Sequence, residues 1–125
     1  MSDLVIDGDT LVKVKVVKTS TIAIPNTVKH IGRKALYDCR ASKCLIPDSV
    51  ESIGSGAFAD SQIVDIKIPD SVTTVGTALF LMCDYLRDVE LGTGVKTLTK
   101  NMIAFCDGEN IKVHIKGVID SIDDT

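Results

Sequence analysis

The nine residues IPNTVKHIG begin at Ile24, IPDSVESIG begins at Ile46 and IPDSVTTVG at Ile68, so one phrase returns every 22 residues. A fixed period of this size constrains the fold more than any local signal. It specifies a stack of equivalent units, none of which can bury its apolar face alone. Aligned on the phrase, the units are IPNTVKHIGRKALYDCRASKCL, IPDSVESIGSGAFADSQIVDIK and IPDSVTTVGTALFLMCDYLRDVE, the last one residue longer, and then a degenerate fourth, LGTGVKTLTKNMIAFCDGENIKVHIKG. The apolar columns are Ile24, Ile46, Ile68 and Leu91; Val28, Val50, Val72 and Val95; Ile31, Ile53, Val75 and Leu98; and Leu36, Phe58, Phe80 and Ile103. Polar positions beside them vary freely. The predicted architecture is a solenoid in which each coil lays one strand against the last.

The underlying pattern, IP-x-S-V-x-x-I-G-x-x-A-F-x-x-C-x-x-L-x-x-V, resembles the BspA-type leucine-rich repeat over roughly residues 20 to 116. Residues 46–58 fit it almost letter for letter, and CDYLRDVEL from Cys83 supplies its second half. The resemblance implies a mainly β, short right-handed leucine-rich-repeat solenoid of about four coils. It also implies a chain that works by binding, since proteins similar to this pattern act as surface adhesins or as interaction scaffolds. The fourth unit departs from the family in lacking IP and the IG dipeptide, which marks it as terminal.

A length of 125 residues, 45% hydrophobic, fits a single domain over 1–125 with one core. A net charge of −3 with interspersed signs leaves no footprint for nucleic acid or an anionic membrane. With 4% aromatic residues and no tryptophan, shelves for stacking bases or sugars are scarce. No apolar run approaches the ~20 residues of a membrane-spanning helix, so membrane insertion is not expected. The start, MSDLVIDGD, is acidic and lacks the apolar core of a secretory signal. The chain is therefore expected in the cytoplasm at synthesis, reaching a virion or a cell surface only by lysis or assembly.

Residues 1–20 read as an N-terminal β-hairpin cap ahead of the solenoid at 21–116. Asp7-Gly8 is a tight-turn signal, and Val12, Val14 and Val16 alternate with Lys13 and Lys15 as in a half-buried strand, so Leu4 to Val17 forms the hairpin. Gly117 interrupts IKVHI, and 117–125 is expected either to fold back as a cap or to trail as an acidic tail.

Within a coil, Pro25, Pro47 and Pro69 fix φ and donate no hydrogen bond, which suits the point where a strand leaves its ladder. Asp48, Asp70, Ser49 and Ser71 are expected to bond the turning backbone. Gly32, Gly54 and Gly76 supply either a backbone conformation closed to other residues or close approach of coils. Cys39, Cys83 and Cys106 share a column with Ser61, and Cys44 stands where other units carry Ile66 and Val89. Free cysteine packs as a small hydrophobe, so interior thiols are expected. Cys83 and Cys106, about 5 Å apart on adjacent coils, are also within disulfide reach. With no C-x-x-C and no paired histidines, neither a metal nor another cofactor is expected.

Catalysis has little support. His30 occupies a variable surface column with Ser52, Thr74 and Thr97, His114 lies in the last strand, and neither has a matching nucleophile. Asp65 and Asp88 are stacked neighbours, with Lys67 and Arg87 near enough to make an ordinary solvated face.

What remains is a surface. The strand residue between the inward apolar positions gives Ala23, Leu45, Lys67, Glu90 and His114, and the one two before it gives Thr21, Lys43, Asp65, Asp88 and Lys112. These two columns line one flat or concave face, where repeat proteins bind partners. Leu45, Lys67, Glu90, His114, Lys43, Asp65 and Asp88 are the candidate contacts. Phe105 joins them near the C-terminal end, since it and Met82 share a column with Asp38 and Asp60. The expected function is a non-catalytic protein-interaction or adhesion module. The alternative is a structural subunit of a larger assembly, such as a virion or cell-surface layer, docking to itself or to other proteins through its ends or cap.

Overall fold

The computed structural model describes residues 4–15, 20–104, 106 and 111–122. Among these every regular element is a strand, and no helix is long and apolar enough to cross a membrane. The long ladder stacks β3 (Thr21–Ala23), β5 (Lys43–Leu45), β7 (Asp65–Ile68), β9 (Asp88–Leu91) and β11 (Lys112–Ile115), each parallel to the next. A shorter parallel ladder joins β2 (Thr10–Val14), β4 (His30–Ile31), β6 (Ser52–Ile53) and β8 (Thr74–Val75), and β1 (Leu4–Asp7) pairs antiparallel on the outside of β2. At the equivalent place in later coils, β10 (Thr97–Leu98) pairs parallel with β12 (Ser121–Ile122).

Between the ladders each coil turns without regular structure, yet its backbone polar groups are still paired with the next coil. Lys34, Leu36 and Asp38 donate N–H groups to the carbonyls of Ser55, Ala57 and Ala59; Gly56, Phe58 and Asp60 donate to Thr77, Leu79 and Leu81; Ala78, Phe80 and Met82 donate to Lys100, Met102 and Ala104. Every second residue thus bonds forward, while its neighbour closes a local turn, as Ala35 does to Gly32 and Cys39 to Leu36. Buried amides need partners, and here each coil supplies the next.

The side chains between these ladders form the core. Ile22, Cys44, Ile66 and Val89 face inward from the long strands at 1–5% exposure, with their outward neighbours exposed or, at Asp88 and Glu90, half-buried. The Phe58 and Phe80 rings stack with centroids 5.6 Å apart. Burying one such side chain contributes about 1.5–3 kcal/mol, so the repeated columns dominate stability. The expected columns are buried through the third unit except at Ile46 and Val75, which are partly buried, and they loosen in the fourth, where Ile103 is 40% exposed and Met102 beside it is buried instead. The extra residue of the third unit falls between Cys83 and Leu86, since Ser61 and Cys83 are still 22 apart while Ile66 pairs with Val89. Tyr85 in that stretch is 60% exposed, so the insertion is absorbed outside the core.

Two local expectations are corrected and a third, left open between two roles, is decided. Simple alternation along β2 fails, because Leu11 and Val14 are buried while Val12 is 46% exposed. A register shift opposite Val5 and Ile6 leaves Val12 as an extra residue in the pairing, and a bulge of this kind resets which face the strand presents. Leu11 can then sit beside Ile31 in the parallel ladder. Val16 and Val17 lie outside the described residues. Secondly, Ser49 and Ser71 do not bond their own turns; their hydroxyls donate to Val28 O and Val50 O of the preceding coil, both at 2.7 Å. Thirdly, of the two roles open to Gly32, Gly54 and Gly76, close approach holds: a Cβ on Gly54 would lie 2.6 Å from Arg33 N. The left-handed conformation belongs to other columns, Lys34, Gly56, Ala78 and Asn101, then Asp38, Asp60 and Met82, at φ of 54–65°. Lys34 and Asp38 are third residues of turns closed by Ala35 and Cys39, where a type II turn needs positive φ.

The segment after Gly117, expected as a cap or a tail, forms in its described residues the next rung: Asp120 and Ser121 both bond Lys96 O, and Ser121–Ile122 pair with Thr97–Leu98.

Two substitutions should therefore move stability in opposite directions. Gly54→Ala, colliding with backbone, should lower the unfolding free energy by about 1–3 kcal/mol, whereas Ala78→Gly should raise it by a few tenths to about 1 kcal/mol by removing a left-handed Cβ. Urea midpoints measure both, and a stabilising Gly54→Ala would refute the close-approach reading.

Candidate partner-binding face

The parallel register places the candidate residues where the repeat predicts. Thr21, Lys43, Asp65, Asp88 and Lys112 form one outward column, and Ala23, Leu45, Lys67, Glu90 and His114 the other. Phe105 lies outside the described residues. The seven others line a single open depression of about 500 Å³, floored by Cys44 and Ile66. Leu45 is 58% exposed at one side of it.

The charges on this face are ordered. Down the first column Lys43, Asp65, Asp88 and Lys112 read plus, minus, minus, plus, with two carboxylates directly opposed in the register. Like charges opposed on a sheet repel. The carboxylates' partners differ from those expected: His114 Nε2 is 2.8 Å from Asp88 Oδ1, and Lys67 Nζ is 3.6 Å from Glu90 Oε2. Glu90 Oε2 is closed to solvent and has no hydrogen-bond partner among the described residues, so Lys67 neutralises Glu90 without satisfying it. The Lys67 and His114 pairs are largely exposed, which limits each to about 1 kcal/mol or less.

Beside the face, a second depression lies between Leu45, Ile46 and Lys67 on one side and Asp48, Asp70 and Lys116 on the other. The Thr93 N–H, 2.9 Å from Asp70 Oδ1, holds the Asp70 carboxyl below the usual carboxylate range, with Lys116 acting in the same direction from 3.8 Å. Lys116 was missed in the sequence because it lies just past the strand and belongs to neither outward column. On the opposite side of the coil, Tyr37, Leu81 and Met82 border a groove with Arg33 and Lys34, and Lys34 Nζ stands 5.7 Å from the Tyr37 ring centroid.

No cluster of His, Cys, Asp and Glu among the described residues could hold a metal ion. All four cysteines are free thiols, Cys39, Cys44 and Cys83 buried and Cys106 half-buried. Cys83 and Cys106 each donate to a carbonyl of the preceding coil, Phe58 O at 2.9 Å and Phe80 O at 3.1 Å, and Ser61 in the same column contacts Cys83 Sγ at 3.4 Å. Burial pushes the thiols of Cys39, Cys44 and Cys83 up, Cys44 furthest. Thiols held protonated are poor nucleophiles. His30 Nδ1 lies 2.7 Å from Ser52 Oγ, a contact that the sequence reading did not foresee. A serine–histidine contact is half of a nucleophile–base arrangement. The other half, an orienting acceptor on the far ring nitrogen, is not among the contacts of His30 within the described residues.

Stacked parallel rungs, an open strand face and interior thiols define the class: a leucine-rich-repeat solenoid. The model of the BspA type leucine-rich repeat region matches residues 15–124 with six copies. The chain belongs to that family. Among solved structures it is similar to a leucine-rich repeat protein from Eubacterium ventriosum, at 27% identity and a TM-score of 0.73 over 80% of this chain and 28% of that one. It is also similar in fold to the pneumococcal vaccine antigen PcpA, at 19% identity and a TM-score of 0.66 over 83% of this chain and 26% of that one. The leucine-rich repeat protein of T. pallidum matches at 23% identity and a TM-score of 0.56, covering 83% of this chain and 60% of that one. The chain thus spans less than two thirds of the length of each. No curated protein matches.

The raised thiols make a pH prediction. Their folded-state pKa lies above the ordinary 9.0, so the unfolded chain gives up these protons first. The stability they contribute is whole below pH ~9 and falls as pH rises past it. Melting temperature should drop between about pH 8 and 10.5, and less steeply in Cys44→Val, which restores the column's aliphatic residue. Equal slopes for the two proteins would exclude Cys44 as a contributor.

Proposed function

We propose that this chain is a non-catalytic protein-binding module that engages its partner across the outward face of the long ladder. The observation that carries this is the convergence of Lys43, Leu45, Asp65, Lys67, Asp88, Glu90 and His114 on one open depression. Its two charge columns give a partner both signs to match, and ordered charges set orientation and exclude wrong partners more than they add affinity. Leu45 offers a bulky apolar contact beside the charges, from which a partner can drive water out. Membership of a family whose repeats commonly serve interaction and adhesion supports the same reading.

A photocrosslinking amino acid placed at Lys43 should capture a protein from the source cells, whereas the same group at Tyr85 should not. Leu45→Asp and Lys67→Glu should each weaken affinity for the captured protein about tenfold or more, a loss of roughly 1.4 kcal/mol. Unchanged affinity in both variants would remove the strand face from consideration.

A further inference from the structure

Cys39, Cys83 and Cys106 stand in one column of the turns, and the stacking sets the last two side by side. Phe80 N–H bonds Met102 O and Met82 N–H bonds Ala104 O, a register that puts Cys106 against Cys83 on the next coil. Coils stacked at strand spacing lie about 5 Å apart, and a disulfide needs Cα atoms roughly 4.4–6.8 Å apart.

The preceding pair of the column shows what this spacing does to the side chains. Ser61 N–H and Cys83 Sγ both bond Phe58 O, at 3.2 and 2.9 Å, and Ser61 Oγ lies 3.4 Å from Cys83 Sγ. One coil on, Cys83 N–H and Cys106 Sγ both bond Phe80 O, at 3.2 and 3.1 Å. The same geometry is repeated with sulfur in both places, which makes the two thiols contact neighbours. Neither remaining cysteine competes for them. Ser61 stands between Cys39 and Cys83, leaving two coil spacings, about 10 Å, to cross. Cys44 lies in the long ladder, with Ile22 and Ile66 as its register partners. The pair joins two coils of this chain, so another coil stacked beyond the fourth would leave it unchanged.

We propose that Cys83 and Cys106 are a disulfide-forming pair that fastens the fourth coil to the third. The reaction is thiol–disulfide exchange with a small-molecule disulfide such as oxidised glutathione. One cysteine thiolate attacks the oxidant, forms a mixed disulfide and releases one glutathione thiolate; the other cysteine thiolate then displaces the second. The protein gives up two protons and two electrons, and the oxidant is reduced to two thiols. Burial holds the Cys83 thiol protonated, which slows the exchange and leaves its product the same. The loop so closed contains β9 and β10, and a cross-link of that span removes chain entropy from the unfolded state. The inference is independent of binding across the strand face.

Trypsin places the four cysteines on four separate peptides, 35–40, 44–67, 68–87 and 101–112. The reduced, unfolded chain is refolded in mixtures of reduced and oxidised glutathione, quenched with acid and alkylated. Free thiols should fall from four to two as the mixture becomes oxidising, and the digest should show 68–87 joined to 101–112 until reductant is added. The oxidised chain should melt about 5 °C or more above the reduced one. That gain should vanish in Cys106→Ser, which installs the residue the column already carries at Ser61. Should the variant fail to fold, the peptide map of the unaltered chain decides. The proposal is overturned if all four thiols persist at the most oxidising ratio, or if 35–40 is joined to 44–67 in place of the expected pair. It is equally overturned by a glutathione adduct on 101–112 with no cross-link, or by a cross-link that leaves the melting temperature unchanged.

Discussion

The structure depends on a single arrangement: the strands and every second residue of the turns pair their backbone with the coil before or after, while the residues between close turns within their own coil. Strands bond across two ladders, and even the irregular turns bond forward at every second residue, from Lys34 to Ser55 and onward. A coil by itself would leave those groups bare and its apolar columns wet, so the stack is the smallest stable unit. This explains why side chains that look like local turn formers serve the stack instead. Ser49 and Ser71 reach back to Val28 and Val50, and Thr99 reaches Gly76 O at 2.8 Å.

What was legible in the sequence is what the stack repeats. A column of Ile, Val, Leu or Phe at a constant offset reads as interior, and a short strand whose apolar residues alternate inward turns the residue between them out. The outward assignments from Lys43 to His114 rest on that geometry alone, and the register bears out their placement. What was not legible occurs where the repeat is locally broken or where several residue types tolerate one conformation. The bulge at Val12 is invisible in an alternating string of Val and Lys, because only the ladder beside it decides which residue is extra. The positive-φ columns are filled by Lys34, Gly56, Ala78 and Asn101, then Asp38, Asp60 and Met82; glycine, asparagine and aspartate carry a signal for that conformation, and Lys34, Ala78 and Met82 carry none.

The candidate face was legible in its membership and not in its electrostatics. Register specifies which residues are neighbours, whereas long side chains choose among several: Lys67 leans to Glu90, and Asp88 takes His114 two residues along the next strand. Lys116 entered from beyond the strand because the chain continues past Ile115 toward the Asp70 turn. The exposure of Val113 and Ile115 was equally hidden, since they are written in the same letters as their buried counterparts and differ, among the described residues, in having a neighbouring strand on one side alone.

The offset of 22 residues, seen in the Ser42–Ser20, Ser61–Cys83 and Thr77–Ser55 contacts alike, has a consequence for how such chains change over time. A coding segment duplicated in frame at one period would insert a rung whose every contact is already met by its neighbours, at no cost in packing elsewhere. A duplication of any other length would throw all later columns out of phase, unless the surplus fell in a stretch like that around Tyr85. Growth by whole periods is thus nearly neutral, and the breadth of the recognition face can vary without any revision of the core that carries it.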